Sequence, residues 1–286
     1  MTLEMKMLKR AALFGAALIW GGSFIVVKNT VDVIPPIFLI AVRFTIATIV
    51  LCIVFCKHLK KLDKTYLNSG LLIGVLLFLA YTIQTIGITD TTPGKNAFLT
   101  AIYCVIVPFL YWVVNHKRPN RYHVMAALLC ILGIGFVCLS EGLKLKFGDS
   151  LTLIGGFFYA AHMVSVEKLS KDKDPVLITI TQFGYTAIFA FLATLMTEKL
   201  PKVEAFTNEV LGGIFYLAVF ATAIALLLQN IGQKGTPPAA ASIILSLEAV
   251  FGVIFSVVFY HERVTTQLLI GFAFIFVAII ISERKA

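Results

Sequence analysis

Apolar runs of about twenty residues recur along this chain, separated by short connections rich in charge, proline and glycine. A helix rising about 1.5 Å per residue crosses a hydrocarbon layer of roughly 30 Å in about twenty residues, so each run is long enough to span a bilayer. The pattern predicts ten helical spans, at about 10–28, 36–56, 67–88, 94–115, 122–140, 149–168, 176–197, 209–231, 237–260 and 265–282. Lipid offers the backbone no hydrogen-bond partners, and no alternating strand pattern of a barrel is present, so the expected fold class is all-α integral membrane.

The polar positions then orient the spans. Alternate connections carry sixteen Lys and Arg on one side (Lys6, Lys9, Arg10 through Arg284, Lys285) and seven on the other (Lys28, Lys95, Lys144, Lys146, Lys199, Lys202, Arg263). The richer set belongs inside, which predicts a multi-pass protein of the cell (inner or plasma) membrane with both termini cytoplasmic. Lys6, Lys9 and Arg10 precede an apolar run without a convincing cleavage site, so this segment is read as the first span rather than a leader.

The halves resemble copies. At an offset of 139, Val27, Pro36 and Phe44 meet Val166, Pro175 and Phe183, and Trp20 meets Tyr159. At an offset of 145, Gln84-Thr85-Ile86-Gly87 meets Gln229-Asn230-Ile231-Gly232, Pro93 meets Pro238, and His116 meets His261. Five spans is an odd number, so a second copy must enter the membrane from the opposite face. The expectation is two inverted five-helix repeats, residues 1–140 and 141–286, the organisation that alternating-access carriers use.

Composition agrees. The 286 residues are 59% hydrophobic and 14% charged, far from the balance of a soluble domain. The net charge of +9 sits in the connections, and no basic patch interleaved with aromatics points to nucleic acid. Cysteines 52, 56, 104, 130 and 138 all lie in apolar stretches, which argues against a disulfide framework. Cys52 and Cys56 share a helix face with His58 just beyond, but small buried hydrophobes account for them, and neither a metal nor a cofactor is expected.

With the motifs Ile19-Trp20-Gly21-Gly22-Ser23-Phe24, Ala97-Phe98-Leu99-Thr100-Ala101-Ile102-Tyr103 leading to Val107-Pro108, and Tyr260-His261-Glu262-Arg263-Val264 before Leu268-Leu269-Ile270-Gly271, almost the whole chain resembles the EamA type of the drug/metabolite transporter superfamily. The resemblance implies a permease for small metabolites with its cavity between the repeats, more an exporter than an importer. Two departures stand out. Glu248-Ala249 replaces the frequent Glu-Pro of the ninth span, removing an expected kink, and His116-Lys117-Arg118 stands where an acidic residue is common.

Candidate chemistry is sparse, which makes each polar group in a span informative. Glu248 is the one charge in its span, and ionising it there costs several kcal/mol unless a partner or water compensates. It shares a face with Ala241 and Gly252, small residues that leave room for a helix or ligand. Three roles are open to Glu248: proton coupling, a ligand for a substrate amine, or a structural counter-ion. Arg43 is the one Lys or Arg expected inside a span; it would bind a substrate carboxylate, pair with Glu248, or snorkel to the interface. Trp20 and Tyr159 are candidate cavity walls, and Tyr81, Gln84, Thr100, Tyr103 and Gln229 candidate ligand-orienting groups, each equally able to serve interhelical packing. His162, one turn after Tyr159, completes the transport set, and Pro108 is the candidate hinge.

The leading reading is thus a non-enzymatic secondary-active or facilitative carrier for small metabolites, with amino-acid-like solutes weakly favoured by one cation and one carboxylate. Proton coupling and oligomeric state stay open. No Walker A pattern is present. The alternatives are an intramembrane enzyme on lipid or prenyl substrates, which would need clustered aspartates or a nucleophile and base in the spans, and a structural membrane subunit.

Overall fold

The computed structural model describes residues 3–116, 118–139, 146–234, 236–263 and 265–283. Lys117, Lys144, Arg284, Lys285 and the boundary between the two expected repeats lie outside the described residues. The helices are α1 (Leu3–Val31), α2 (Pro36–Val54), α3 (Lys64–Thr89), α4 (Pro93–Thr100), α5 (Tyr103–Asn115), α6 (Arg121–Leu139) and α7 (Phe147–Ser170). They continue with α8 (Pro175–Thr197), α9 (Asn208–Ala218), a π-helical turn (Val219–Ile224), α10 (Ala225–Gln233), α11 (Pro238–Leu245), α12 (Leu247–Phe259) and α13 (Thr266–Glu283). No strand occurs among the described residues.

Among the described residues, seven stretches are long and apolar enough to cross a membrane: Glu4–Val31, Pro36–Val54, Lys64–Thr89, Pro93–Asn115, Pro175–Thr197, Asn208–Gln233 and Pro238–Phe259. Shorter apolar stretches lie in α6 and α13, at Arg121–Gly133 and Leu269–Ala278. The remaining expected span, 149–168, is helical as α7, but it carries Asp149, Glu167 and Lys168 and is not among the seven.

Local chemistry explains where the helices start. Proline occupies the first turn of α2, α4, α8 and α11, where its missing N–H costs no hydrogen bond. Asp63 caps α3 by accepting the Thr65 and Tyr66 amides, and Asp174 caps α8 through the Val176 amide. The Thr65 hydroxyl, chief among these donors, holds the exposed Asp63 carboxyl below the ordinary carboxylate range.

Two spans are interrupted. Ala101 and Ile102 separate α4 from α5, and Ser246 separates α11 from α12. The interruption before Glu248 corrects the expectation that loss of proline keeps this span unkinked. At this break Ser246 Oγ donates to the Ile243 carbonyl and Ser242 Oγ to the Ala239 carbonyl, side-chain bonds of the kind that bend a helix without proline. In the other span Thr100, the residue before the break, donates through Oγ1 to the Asn96 carbonyl. Pro108, the expected hinge, lies inside α5, and the break in this span falls before it at Ala101–Ile102.

The most extensive packing joins α3 to α7, α6 to α13, and α8 to both α2 and α3, with α1 held between α10 and α12. A Cβ on Gly252 would strike Ala97 of α4, so the small face of α12 accommodates another helix. Large apolar side chains such as Ile53, Leu132, Phe191, Leu195 and Phe215 are left on the outer surface, as expected of a chain that spans lipid.

Candidate functional site

The interrupted helices meet around one cavity. It is lined by Trp20, Ser23, Phe24 and Val27 of α1, Arg43 of α2, and Tyr81, Gln84, Thr85 and Ile88 of α3. Asn96 and Thr100 of α4, Tyr103 of α5, Tyr159 and Met163 of α7, Gln229 of α10, Leu245 of α11 and Glu248 of α12 complete it. Its walls bound about 580 Å3 of space, mouth included, of which about 40 Å3 is wide enough to centre a water molecule, so the chamber is a narrow slit.

Nine of the ten candidate residues thus face one space; His162 does not. It is 1% exposed behind the wall, its Nε2 2.8 Å from Gln182 Oε1. Burial in an apolar bundle favours side-chain pairing of this kind. Cys52, Cys56 and Cys104 form no disulfide, and no cluster suited to a metal ion occurs among the described residues.

Arg43 is the largest fully buried side chain, which removes the snorkelling alternative. Its Nε donates to Thr222 Oγ1 at 2.9 Å, and its guanidinium carbon lies 4.9 Å from the centroid of the Tyr81 ring, a cation–π distance. No ion pair joins Arg43 to Glu248 among the described residues, so the two charges do not lock each other. Three tyrosines stand between them. Tyr81 and Tyr159 pack edge to face at 5.4 Å, and Tyr159 lies 6.4 Å from Tyr103, whose hydroxyl approaches the Glu248 carboxyl without reaching hydrogen-bond geometry.

A hydrogen-bonded chain braces one wall. Tyr159 donates to Gln84 Oε1 at 2.8 Å, Gln84 Nε2 donates to Thr100 Oγ1 at 2.8 Å, and Thr100 closes on the Asn96 carbonyl. With both ends of its amide engaged, Gln84 is a fixed spacer between α3, α4 and α7. The π-helical turn braces the opposite wall. Widening by one residue lets Thr222 Oγ1 reach the Leu217 carbonyl and present itself to Arg43, while the Ala221 carbonyl accepts the Trp20 indole N–H at 2.8 Å.

Several wall residues were missed by the sequence reading. Ser23 and Thr85 follow from helical spacing, since 20, 23, 24, 27 and 81, 84, 85, 88 each form one stripe. Asn96 lies one turn before Thr100 on the same face. Thr222 carried no signal, because a π turn shifts the register that helical counting assumes. Lys95, counted among the connecting cations, is in fact buried in α4, its Nζ 2.7 Å from Asp149 Oδ2.

A bundle of membrane-length helices around a narrow slit lined by aromatic, apolar and a few buried polar side chains is the organisation of a multi-pass membrane protein with an internal chamber. The chain belongs to the EamA-like transporter family, whose sequence pattern matches residues 10–139 and again 146–283. An uncharacterized transporter of Archaeoglobus fulgidus is 34% identical over 269 residues, covering 94% of this chain and 83% of the relative. Protein PecM of Dickeya dadantii is 22% identical, covering 94% and 90%. A crystal structure of a protein at 15% identity superposes with a TM-score of 0.73 over 96% of both chains, which is a likeness of fold.

Proposed function

We propose that this chain is a secondary-active or facilitative carrier that exports small metabolites, amino-acid-like solutes foremost, by alternating access between two inverted five-helix repeats. The observation that carries the reading is a buried guanidinium and a buried carboxyl, unpaired with each other, facing the same slit. An unpaired guanidinium in a bilayer is costly and a buried carboxyl is costly to ionise, and a zwitterion bound between them offsets both costs. In this reading Arg43 takes the substrate carboxylate through the guanidinium edges left free by its Nε bond. Glu248 and Tyr103 take the amine, and Trp20, Tyr159 and Met163 cover the apolar part. Export coupled to protons through Glu248 and uncoupled diffusion are both consistent with this arrangement.

Ten crossings follow if α6, α7 and α13 join the seven membrane-length stretches, and the charge count then puts both termini in the cytoplasm. Support for the repeat comes from the breaks at Ala101 and Ser246, which differ by the offset of 145 found in the sequence. His116 and His261, which close α5 and α12, share that offset and both have positive φ, 56° and 54°. The packing is reciprocal as well: α3 packs on α7 as α10 does on α1, and α4 packs on α12 as α5 does on α11.

The test is an untargeted comparison of metabolites inside and outside cells that express the parent chain or Glu248→Gln at matched membrane levels. A class of solute that leaves the cell with the parent and not with the variant is the expected result. Equal movement by both makes Glu248 structural, and no movement by either removes the carrier reading.

A further inference from the structure

A second polar region lies beside the cavity and is closed. Gln229, Asn230 and Gln233 share one face of α10, which packs on α8 and, more sparsely, on α7; Thr179 of α8 meets Asn230, and Gln182, one turn further along α8, pairs with His162 of α7. All six are at least nine-tenths buried. Asn230 Nδ2 donates to Thr179 Oγ1 at 2.7 Å, and His162 pairs with Gln182. Gln229 Oε1, Asn230 Oδ1, both polar atoms of the Gln233 amide, Gln182 Nε2 and His162 Nδ1 remain without a partner. Reversing an amide or ring exchanges which atom is left over but does not supply the missing partners.

Such groups are expensive in a bilayer, where only protein or trapped water can satisfy them, and apolar side chains of the same shape would pack at lower cost. Their persistence along one seam is accounted for if the seam is wet in another conformation. Its position fits. Gln229 is part of the cavity wall, and Gln233 is the last residue of α10, so the face leads from the chamber to the end of the helix. There the seam is closed by lysines: Lys234 Nζ donates to the Lys173 carbonyl at 2.7 Å, and Lys9 Nζ to the Lys234 carbonyl.

We infer that the α7–α8–α10 seam is the second leg of the permeation path, shut in this structure, and that α10 parts from α7 and α8 to open it. Water and the transported solute then pass along Gln229, Asn230 and Gln233. This rests on the carrier reading above and adds the route that joins the chamber to the side of Lys9, Lys173 and Lys234.

The test uses the full chain in membrane vesicles, its native cysteines replaced by serine, with single cysteines at 230, 233, 226 and 100. The probe is a small sulfonated thiol reagent. Asn230→Cys and Gln233→Cys are expected to react roughly tenfold or more faster than Leu226→Cys, a buried apolar position on the same helix that only general breathing exposes. If Thr100→Cys in the chamber reacts while 230 and 233 are as slow as 226, the seam is static packing and the inference falls, with the carrier reading intact. If Thr100→Cys is silent too, both fall. A second variant avoids the cysteine background: Asn230→Leu with Gln233→Leu in the native chain. A chain that melts no lower than the parent but has lost the parent's metabolite difference supports the seam, and retained transport overturns it.

Discussion

At the scale of single residues, the site depends on how Arg43 is held. A guanidinium has one Nε–H for Thr222 and a planar face for Tyr81, and still keeps its two outer nitrogens for a ligand; an ammonium cannot do all three. Arg43→Lys therefore keeps the charge and loses the orientation. A hydrogen bond to a charged group is worth about 1.5–3 kcal/mol, so solute affinity is expected to drop by tenfold or more, read as a raised half-saturation concentration in transport assays. Thr222→Val, which removes the acceptor and leaves Arg43 untouched, should move affinity in the same direction. Arg43 and Glu248 were recognisable from sequence because charge inside an apolar run is anomalous. Thr222 was not, since a threonine there looks like any small polar residue of a span.

At the scale of elements, the two broken spans place the chemistry. Tyr103 opens α5 and Glu248 lies in the first turn of α12, so each break delivers a polar group to the slit. Each distal half ends at a histidine in the left-handed region, a conformation that costs an ordinary residue about 1–2 kcal/mol and glycine far less. His116→Gly and His261→Gly are each expected to stabilise the chain by roughly 0.5–1 kcal/mol, after allowing for the greater freedom of glycine in the unfolded chain. A higher thermal midpoint in detergent, at fixed heating rate, is the expected reading; a lower one would show that the imidazoles contribute contacts of greater value. The ninth span breaks at Ser246, where no proline stands, so the absence of Glu-Pro did not decide the course of this helix.

At the scale of the whole molecule, α4 is tied down at the end away from the chamber. Asp149 of α7 holds Lys95 and the Thr91 hydroxyl, while Glu262, just after α12, accepts from Thr92, the Gly94 amide and Ser256. The Lys95 and Asp149 side chains are 5% and 0% exposed. Removing one partner of such a pair leaves the other charge buried, at about 3–5 kcal/mol, whereas replacing both with apolar groups is close to neutral. Asp149→Leu should therefore lower the melting temperature steeply, and adding Lys95→Met should recover much of the loss. A double variant no more stable than the single one would assign the effect to the Thr91 and backbone bonds of Asp149 instead.

The sequence by itself determined the class of protein, the helical runs, the family and most of the residues around the chamber. Those features follow from solvent: apolar length, the cost of a charge in lipid and the place of proline at a helix start all act locally along the chain. Only the tertiary structure decided that Arg43 and Glu248 stand apart, that Lys95 is buried against Asp149, that His162 lies behind the wall and that a π turn supplies Thr222. These depend on helix register and on which faces meet, and both are set by packing between segments far apart in sequence, where helical counting has no purchase.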